Sequence, residues 1–210
     1  SATIDMADVT NGGEIATEGT EAAGIVILGS GSVTNSGTIQ TLGDNAQGIT
    51  FLDDGTVVNS GSISTEGARA IDIGGLASVT NTATGSIVAN GEDAIRFGTD
   101  LSELINDGLI QSGDGRALEA GDVDGVTITN SGSIIATNRA INGGDDFTIT
   151  NVAGGLINTT GDQDTIYEYD RLWRLEDVTW SDAETTQYTH DKSSNRISTT
   201  DPNGSVVVCA

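Results

Sequence analysis

The first 165 residues of this 210-residue chain contain no lysine, histidine, proline, cysteine, tyrosine or tryptophan. Without histidine or lysine, that stretch lacks the usual bases of an acyl-transfer triad. Without cysteine it has no cysteine-rich metal site. The single histidine, His190, and the single cysteine, Cys209, both fall in the last 45 residues, and one cysteine makes no internal disulfide framework. Positive charge is scarce everywhere: 8 Lys and Arg stand against 31 Asp and Glu, a formal net charge of −23. Phosphate backbones and anionic lipid headgroups repel such a chain, so nucleic acid and membrane surfaces are excluded as expected partners. No apolar run approaches the roughly 18–20 residues of a membrane-spanning helix. Hydrophobic residues make up 36% and aromatics 4%. That is too little for a broad spherical core, so an ordered fold must use its apolar residues in a narrow arrangement.

What the chain has in quantity is glycine and repetition. Of 29 glycines, 28 lie in residues 1–165. Val33-Thr34-Asn35-Ser36-Gly37-Thr38-Ile39 recurs as Val57 to Ile63 and as Ile128 to Ile134. Weaker copies run from Val9 to Ile15 and from Leu104 to Ile110, and two copies carry a two-residue insertion, Asn81 to Ile87 and Asn151 to Ile157. The repeat asparagines are Asn11, Asn35, Asn59, Asn81, Asn106, Asn130 and Asn151, spaced by 21–25 residues. A second anchor, a small residue before an apolar one, follows in each of six repeats: Gly24-Ile25, Gly48-Ile49, Ala70-Ile71, Ala94-Ile95, Ala117-Leu118 and Ala140-Ile141.

These anchors are short period-2 runs bounded by Gly, Asn, Asp and Ser, the pattern of strands joined by turns. Strand repeats of 20–25 residues predict an all-β parallel β-helix, a β-solenoid of about seven coils over residues 1–164. Successive coils then stack about 4.8 Å apart, so equivalent residues form columns. Val33, Val57, Val79 and Leu104 are expected inward, as are Ile39, Ile63, Ile87, Ile110 and Ile134. Thr34, Thr80, Thr129 and Thr150 are expected outward. The asparagines are expected to form a hydrogen-bonded ladder and to adopt the left-handed corner conformation that asparagine tolerates. The glycine that follows is expected to free the corner from a Cβ clash.

Residues 165–210 differ: they hold all three tyrosines, both tryptophans and one glycine. Short alternating runs and the turn Asp201-Pro202-Asn203-Gly204 predict a small antiparallel tail of three or four strands, the last at Ser205–Cys209.

Two family resemblances attach to these segments. The Asn-Ser-Gly-x-Ile coils of residues 9–160 resemble the parallel β-helix passengers of autotransporter adhesins and related bacterial surface proteins. That resemblance implies an extracellular or cell-surface location in a bacterium. The tail resembles the YD repeat of Rhs-type proteins, through Tyr167, Tyr169, Asp170, Arg174 and Leu175, and again through Tyr188, Asp191, Asn195 and Arg196. Trp173 stands where that pattern has glycine, and His190 where it has the second tyrosine. Two copies imply strands and turns, not an encapsulating shell.

Neither segment carries a catalytic motif, and no cofactor is called for. Asp72, Arg96 and Glu119 fall at equivalent positions of neighbouring coils. They form an outward charge column, read either as a glycan or acid–base site or as cross-strand ion pairs, with the ion pairs preferred. Arg69, Asp93, Arg116 and Arg139 make a second column, expected to pair with carboxylates of the same chain. Asp53, Asp54, Asp122, Asp124, Asp145 and Asp146 sit in acidic loops that calcium, a cation favouring several oxygen ligands, would suit; the alternative is a solvated acidic surface.

The ends carry the functional expectation. The first coil begins within about ten residues of Ser1 and is expected to present a bare strand edge, which templates further pairing. The tail of a second copy docking there, through Val9, Asn11 and Ile15 on one side and Trp173, Trp180, Val206, Val207 and Val208 on the other, would give a head-to-tail filament. The alternative is that the tail caps its own solenoid. The leading function is thus a non-enzymatic extracellular protein that self-associates into surface or biofilm-matrix fibres. Its alternatives are a monomeric adhesin or glycan-binding passenger and, less favoured, a polysaccharide lyase or hydrolase.

Overall fold

A computed structural model describes residues 6–160 and, in the tail, residues 165–169, 175–180, 185–190, 196–200 and 206–208. Each repeat contributes three short strands. The first coil comprises β1 (Met6–Asn11), β2 (Glu14–Thr17) and β3 (Ile25–Ile27), the second β4 (Ser30–Asn35), β5 (Thr38–Asp44) and β6 (Ile49–Phe51). The third holds β7 (Gly55–Asn59), β8 (Ser62–Gly67) and β9 (Ile71–Ile73), the fourth β10 (Ala77–Asn81), β11 (Ser86–Ala89) and β12 (Ile95–Phe97). The fifth holds β13 (Glu103–Asn106), β14 (Leu109–Ser112) and β15 (Arg116–Ala120), the sixth β16 (Thr127–Asn130), β17 (Ser133–Ala136) and β18 (Arg139–Gly143). A seventh coil stops after β19 (Thr148–Asn151) and β20 (Leu156–Thr159).

The strands stack into three parallel sheets, two of seven strands and one of six. The chain is therefore an all-β parallel β-solenoid of six complete turns and part of a seventh. The expected seven coils shorten because the second anchor occurs only six times. Register is that of the sequence repeat: Val33 pairs with Val57, Ile39 with Ile63 and Asn35 with Asn59. Alternation sends one set of side chains inward, so Val33, Ile39, Val57, Ile63, Ile87, Leu104, Ile110 and Ile134 are fully buried. Phe51 and Phe97 fill the third sheet's inner column beside Ile27 and Ile73. The core is a one-dimensional stack, which is how 36% hydrophobic content suffices.

Two corner expectations resolve differently. The ladder asparagines end strands, and none of them has a positive φ; among the described non-glycine residues that conformation occurs at Glu21, Asn45, Leu101 and Asp146, in other turns. The ladder explains the asparagines without a left-handed backbone. The glycine after the asparagine is required by close approach: a Cβ on Gly61 would lie 2.0 Å from the Gly37 carbonyl oxygen of the coil before it.

A second buried polar column lies two residues beyond the inward isoleucines. Thr41 and Thr65 are fully buried, each donating its hydroxyl to a carbonyl within its own coil, Ala46 and Ala68 at 2.5 Å. Ser112 instead donates to the Glu92 carbonyl at 2.7 Å.

In the tail, β21 (Thr165–Tyr169), β22 (Leu175–Trp180), β23 (Thr185–His190), β24 (Arg196–Thr200) and β25 (Val206–Val208) each pair antiparallel with the next. That is a small antiparallel sheet of five strands where three or four were expected. The edge strand β25 is exposed along its length.

Candidate functional site

The asparagine ladder is the most ordered polar feature. Asn11, Asn35, Asn59, Asn81, Asn106 and Asn130 are buried, and Asn151 is half-buried. Each amide nitrogen donates to the amide oxygen of the next asparagine at 2.7–2.9 Å, from Asn11 through to Asn151. Each also reaches the carbonyl of its own turn and a carbonyl of the next coil, as Asn35 does with Gly37 and Ser62. All amide dipoles therefore point the same way along the solenoid.

The third sheet brings together the charge column expected from the spacing. Asp72 pairs with Arg96, and Arg96 with Glu119, in register. Arg96 bonds Asp72 at 3.0 Å, whereas Glu119 is held by Arg116 at 2.6 Å and by Asn142 at 3.0 Å. Arg69 lies 3.6 Å from Asp93 and 3.6 Å from Asp72, and Arg116 lies 3.8 Å from Asp93. Arg139 donates to Asn142. Cross-strand and i,i+3 pairing thus engages these carboxylates within the chain. Such half-exposed pairs contribute little, about 0–1 kcal/mol each. Arg96→Ala should accordingly lower stability by about 1 kcal/mol or less, read as a shift in the thermal midpoint. If Arg96 served a polysaccharide lyase or hydrolase, the same variant would abolish cleavage of acidic glycans; equal cleavage by both proteins removes that site.

The acidic loops have local work. Asp54 accepts from the Leu76 backbone N–H at 2.8 Å, and Asp124 accepts from that of Asp145 at 2.9 Å. Among the described residues, no group of three or more His, Cys, Asp or Glu is placed to hold a metal ion.

A groove absent from the sequence reading lies along the first sheet, with a volume of about 460 Å³. Its floor is the column Asp8, Ser32, Thr56, Ser78 and Glu103, and Leu76 and Leu101 wall it. Asp8 accepts from the Ser32 hydroxyl at 2.7 Å. The lining combines hydroxyls, carboxylates and exposed leucine.

Among the described residues no further coil stacks on the first or the seventh, and the first tail strand, β21, comes close to β20. The inward columns are fully buried in the middle coils but only partly buried at Val9 and Ile15 in the first coil and at Ile141, Phe147 and Ile157 near the last. Ile149, which continues the Val33–Ile128 column, is 47% exposed, and Val152 and Leu156 beside it are also exposed.

Of the tail residues singled out, Trp173 and Cys209 lie outside the described residues, as do Asp170, Arg174, Asp191 and Asn195 of the YD-like pattern. Trp180 ends β22, and His190 pairs with Arg196 between β23 and β24. Comparison of the chain with family models, curated proteins and solved structures finds no match.

Proposed function

We propose that this chain is a non-enzymatic structural subunit that self-associates head to tail into fibres, at the surface of a bacterium or in its extracellular matrix. The observation that supports this most is the pair of end coils, where Val9 and Ile15 in the first and Ile149 in the seventh keep part of their apolar surface exposed. An open strand edge pairs with further strands. A heterologous end-to-end contact that does not close generates a filament. The likeness of the coils to autotransporter passengers supports the location, and the charge of −23 keeps a β-rich subunit soluble before assembly.

Negative-stain electron microscopy of the purified protein, with calcium and with chelator, tests the reading. Thin filaments of uniform width are the expected image. Single short rods at high protein concentration in both conditions would overturn it.

The groove favours one second reading, a monomeric adhesin or glycan-binding passenger. Hydroxyls and carboxylates over Ser32, Thr56 and Glu103 are groups that sugar hydroxyls bond. A glycan array probed with the protein should then give hits that weaken in Thr56→Val, and an array without hits removes this reading.

A further inference from the structure

The self-association reading leaves the joint unspecified, and the end coils carry the information to specify it. We infer that the seventh coil of one copy stacks directly on the first coil of the next, in register, with Asn151 of one donating into Asn11 of the other. This rests on the self-association reading and names its interface.

The ladder is polar. Each inner ladder asparagine donates across to the next coil and accepts from the previous one. Among the described residues Asn151 donates to Gly155 of its own turn, at 2.8 Å, and to no further coil. Asn11 has the opposite deficit: among the described residues its amide oxygen accepts the Gly13 N–H, at 3.2 Å, and no ladder donor. One end of the ladder is an unused donor and the other an acceptor with a spare lone pair. Two copies of the same end cannot satisfy each other, whereas opposite ends can.

The chain already contains the counterpart of this joint. In the seventh coil the two-residue insertion lengthens the turn after the asparagine to four residues, Val152–Gly155, as it does in the fourth, Thr82–Gly85. The fifth coil stacks on the fourth as an uninserted first-type coil would stack on the seventh. There Asn81 donates to Asn106 at 2.8 Å and to the Leu109 carbonyl at 3.0 Å, and the Asp107 and Leu109 N–H groups bond Asn81 and Gly85 carbonyls. Mapped onto the end coils, Asn151 donates to Asn11 and to the Glu14 carbonyl, while the Gly12 and Glu14 N–H groups meet the Asn151 and Gly155 carbonyls. Apolar columns continue as well: Val9 follows Ile149 as Leu104 follows Val79, and Ile15 follows Ile157 as Ile110 follows Ile87.

Glycine packing at the joint distinguishes a stacked copy from a free one. A Cβ on Gly108 would lie 2.2 Å from the Gly85 oxygen and 2.4 Å from that of Thr82. A Cβ on Gly13, the equivalent position in the first coil, has nothing within 4 Å. A methyl there is harmless to one copy but collides with the Gly155 and Val152 carbonyls of a stacked neighbour.

Wild type, Gly13→Ala, Asn151→Ala and Val207→Lys are compared by sedimentation velocity over a range of protein concentration, at about 0.15 M salt and above, where screening shortens the reach of like charge to about 8 Å or less. Thermal melting of each runs in parallel. The expected result is association of wild type and Val207→Lys. Gly13→Ala should weaken it at least about tenfold with an unchanged melting midpoint, and Asn151→Ala should weaken it too. If Gly13→Ala and Asn151→Ala associate like wild type, the coil-on-coil joint is wrong while self-association stands. Loss in Val207→Lys alone would then put the joint on the β25 edge. If wild type stays monomeric throughout, the self-association reading falls and this joint with it.

Discussion

Gly61→Ala should destabilise the solenoid by about 3 kcal/mol, the upper end of the cost of overpacking, whereas Gly13→Ala should leave it within about 0.5 kcal/mol of wild type. Both glycines follow a ladder asparagine by two residues, and neither has a positive φ. They differ in what lies against them. A methyl on Gly61 would meet the Gly37 oxygen at 2.0 Å, the Ser36 carbonyl carbon at 2.7 Å and the Gly37 nitrogen at 2.9 Å, all backbone. Backbone cannot rotate away as a side chain can. Relief requires the coils to separate at this corner, which strains the Gly61 N–H bond to Asn35 and the neighbouring Ser60 bond of 2.8 Å. The loss of unfolded-chain entropy on replacing glycine, roughly 0.4–1 kcal/mol, offsets only part of this. Circular dichroism melting checks it: at about 2–4 °C per kcal/mol for a chain of this size, Gly61→Ala should melt about 6–12 °C below wild type. Equal melting of the two variants would mean that the coils do not approach as closely as the backbone indicates.

The same contrast shows what a sequence can and cannot convey about such a fold. Columns are legible because stacking repeats each residue's environment, so Val33, Val57 and Val79 read as one position, and so do the seven asparagines. The outward column Asp72, Arg96 and Glu119 is legible for the same reason, and its register follows the spacing. Its pairing is not legible. Glu119 goes to Arg116 on its own strand rather than to Arg96 on the neighbouring one, because side-chain reach, not register, selects the partner. Asparagine's intrinsic tolerance suggests a left-handed corner, but a buried amide with a donor below and an acceptor above explains the residue on strand backbone. Thr41 and Thr65 occupy inward positions by strict alternation, yet threonine suits either face, and only the nearby Ala46 and Ala68 carbonyls make burial tolerable. The groove was invisible because Leu76 and Leu101 sit in turns, where no period assigns them a face.

Asn59→Ala, in the middle of the ladder, should cost about 4 kcal/mol, against about 1 kcal/mol or less for Asn151→Ala at its end. Asn59 is fully buried and holds four partners: it accepts from Asn35 at 2.8 Å and donates to Asn81, Gly61 and Ser86 at 2.9, 3.2 and 3.2 Å. Truncation leaves the Asn81 oxygen without its ladder donor and deprives the Asn35 amide of its best acceptor, in a space that polar neighbours line. Each unsatisfied buried group costs about 1–3 kcal/mol, and more than one arises here. Among the described residues Asn151 donates within its own turn, so its loss strands mainly the Asn130 amide. The isosteric Asn59→Asp separates hydrogen-bond sense from volume. Near neutral pH it places a buried charge whose oxygen faces the Asn81 oxygen, and this should destabilise more than alanine does. Burial and that facing acceptor both raise the introduced carboxyl's folded pKa above its unfolded value of about 3.9. The deficit relative to wild type should therefore be smallest at low pH, where the neutral acid can donate as the amide did. It should grow as pH rises through the folded pKa. Denaturant midpoints of the two proteins between about pH 4 and 7.5 give this difference, and a deficit independent of pH would show that the position needs the amide's shape and not its direction of donation.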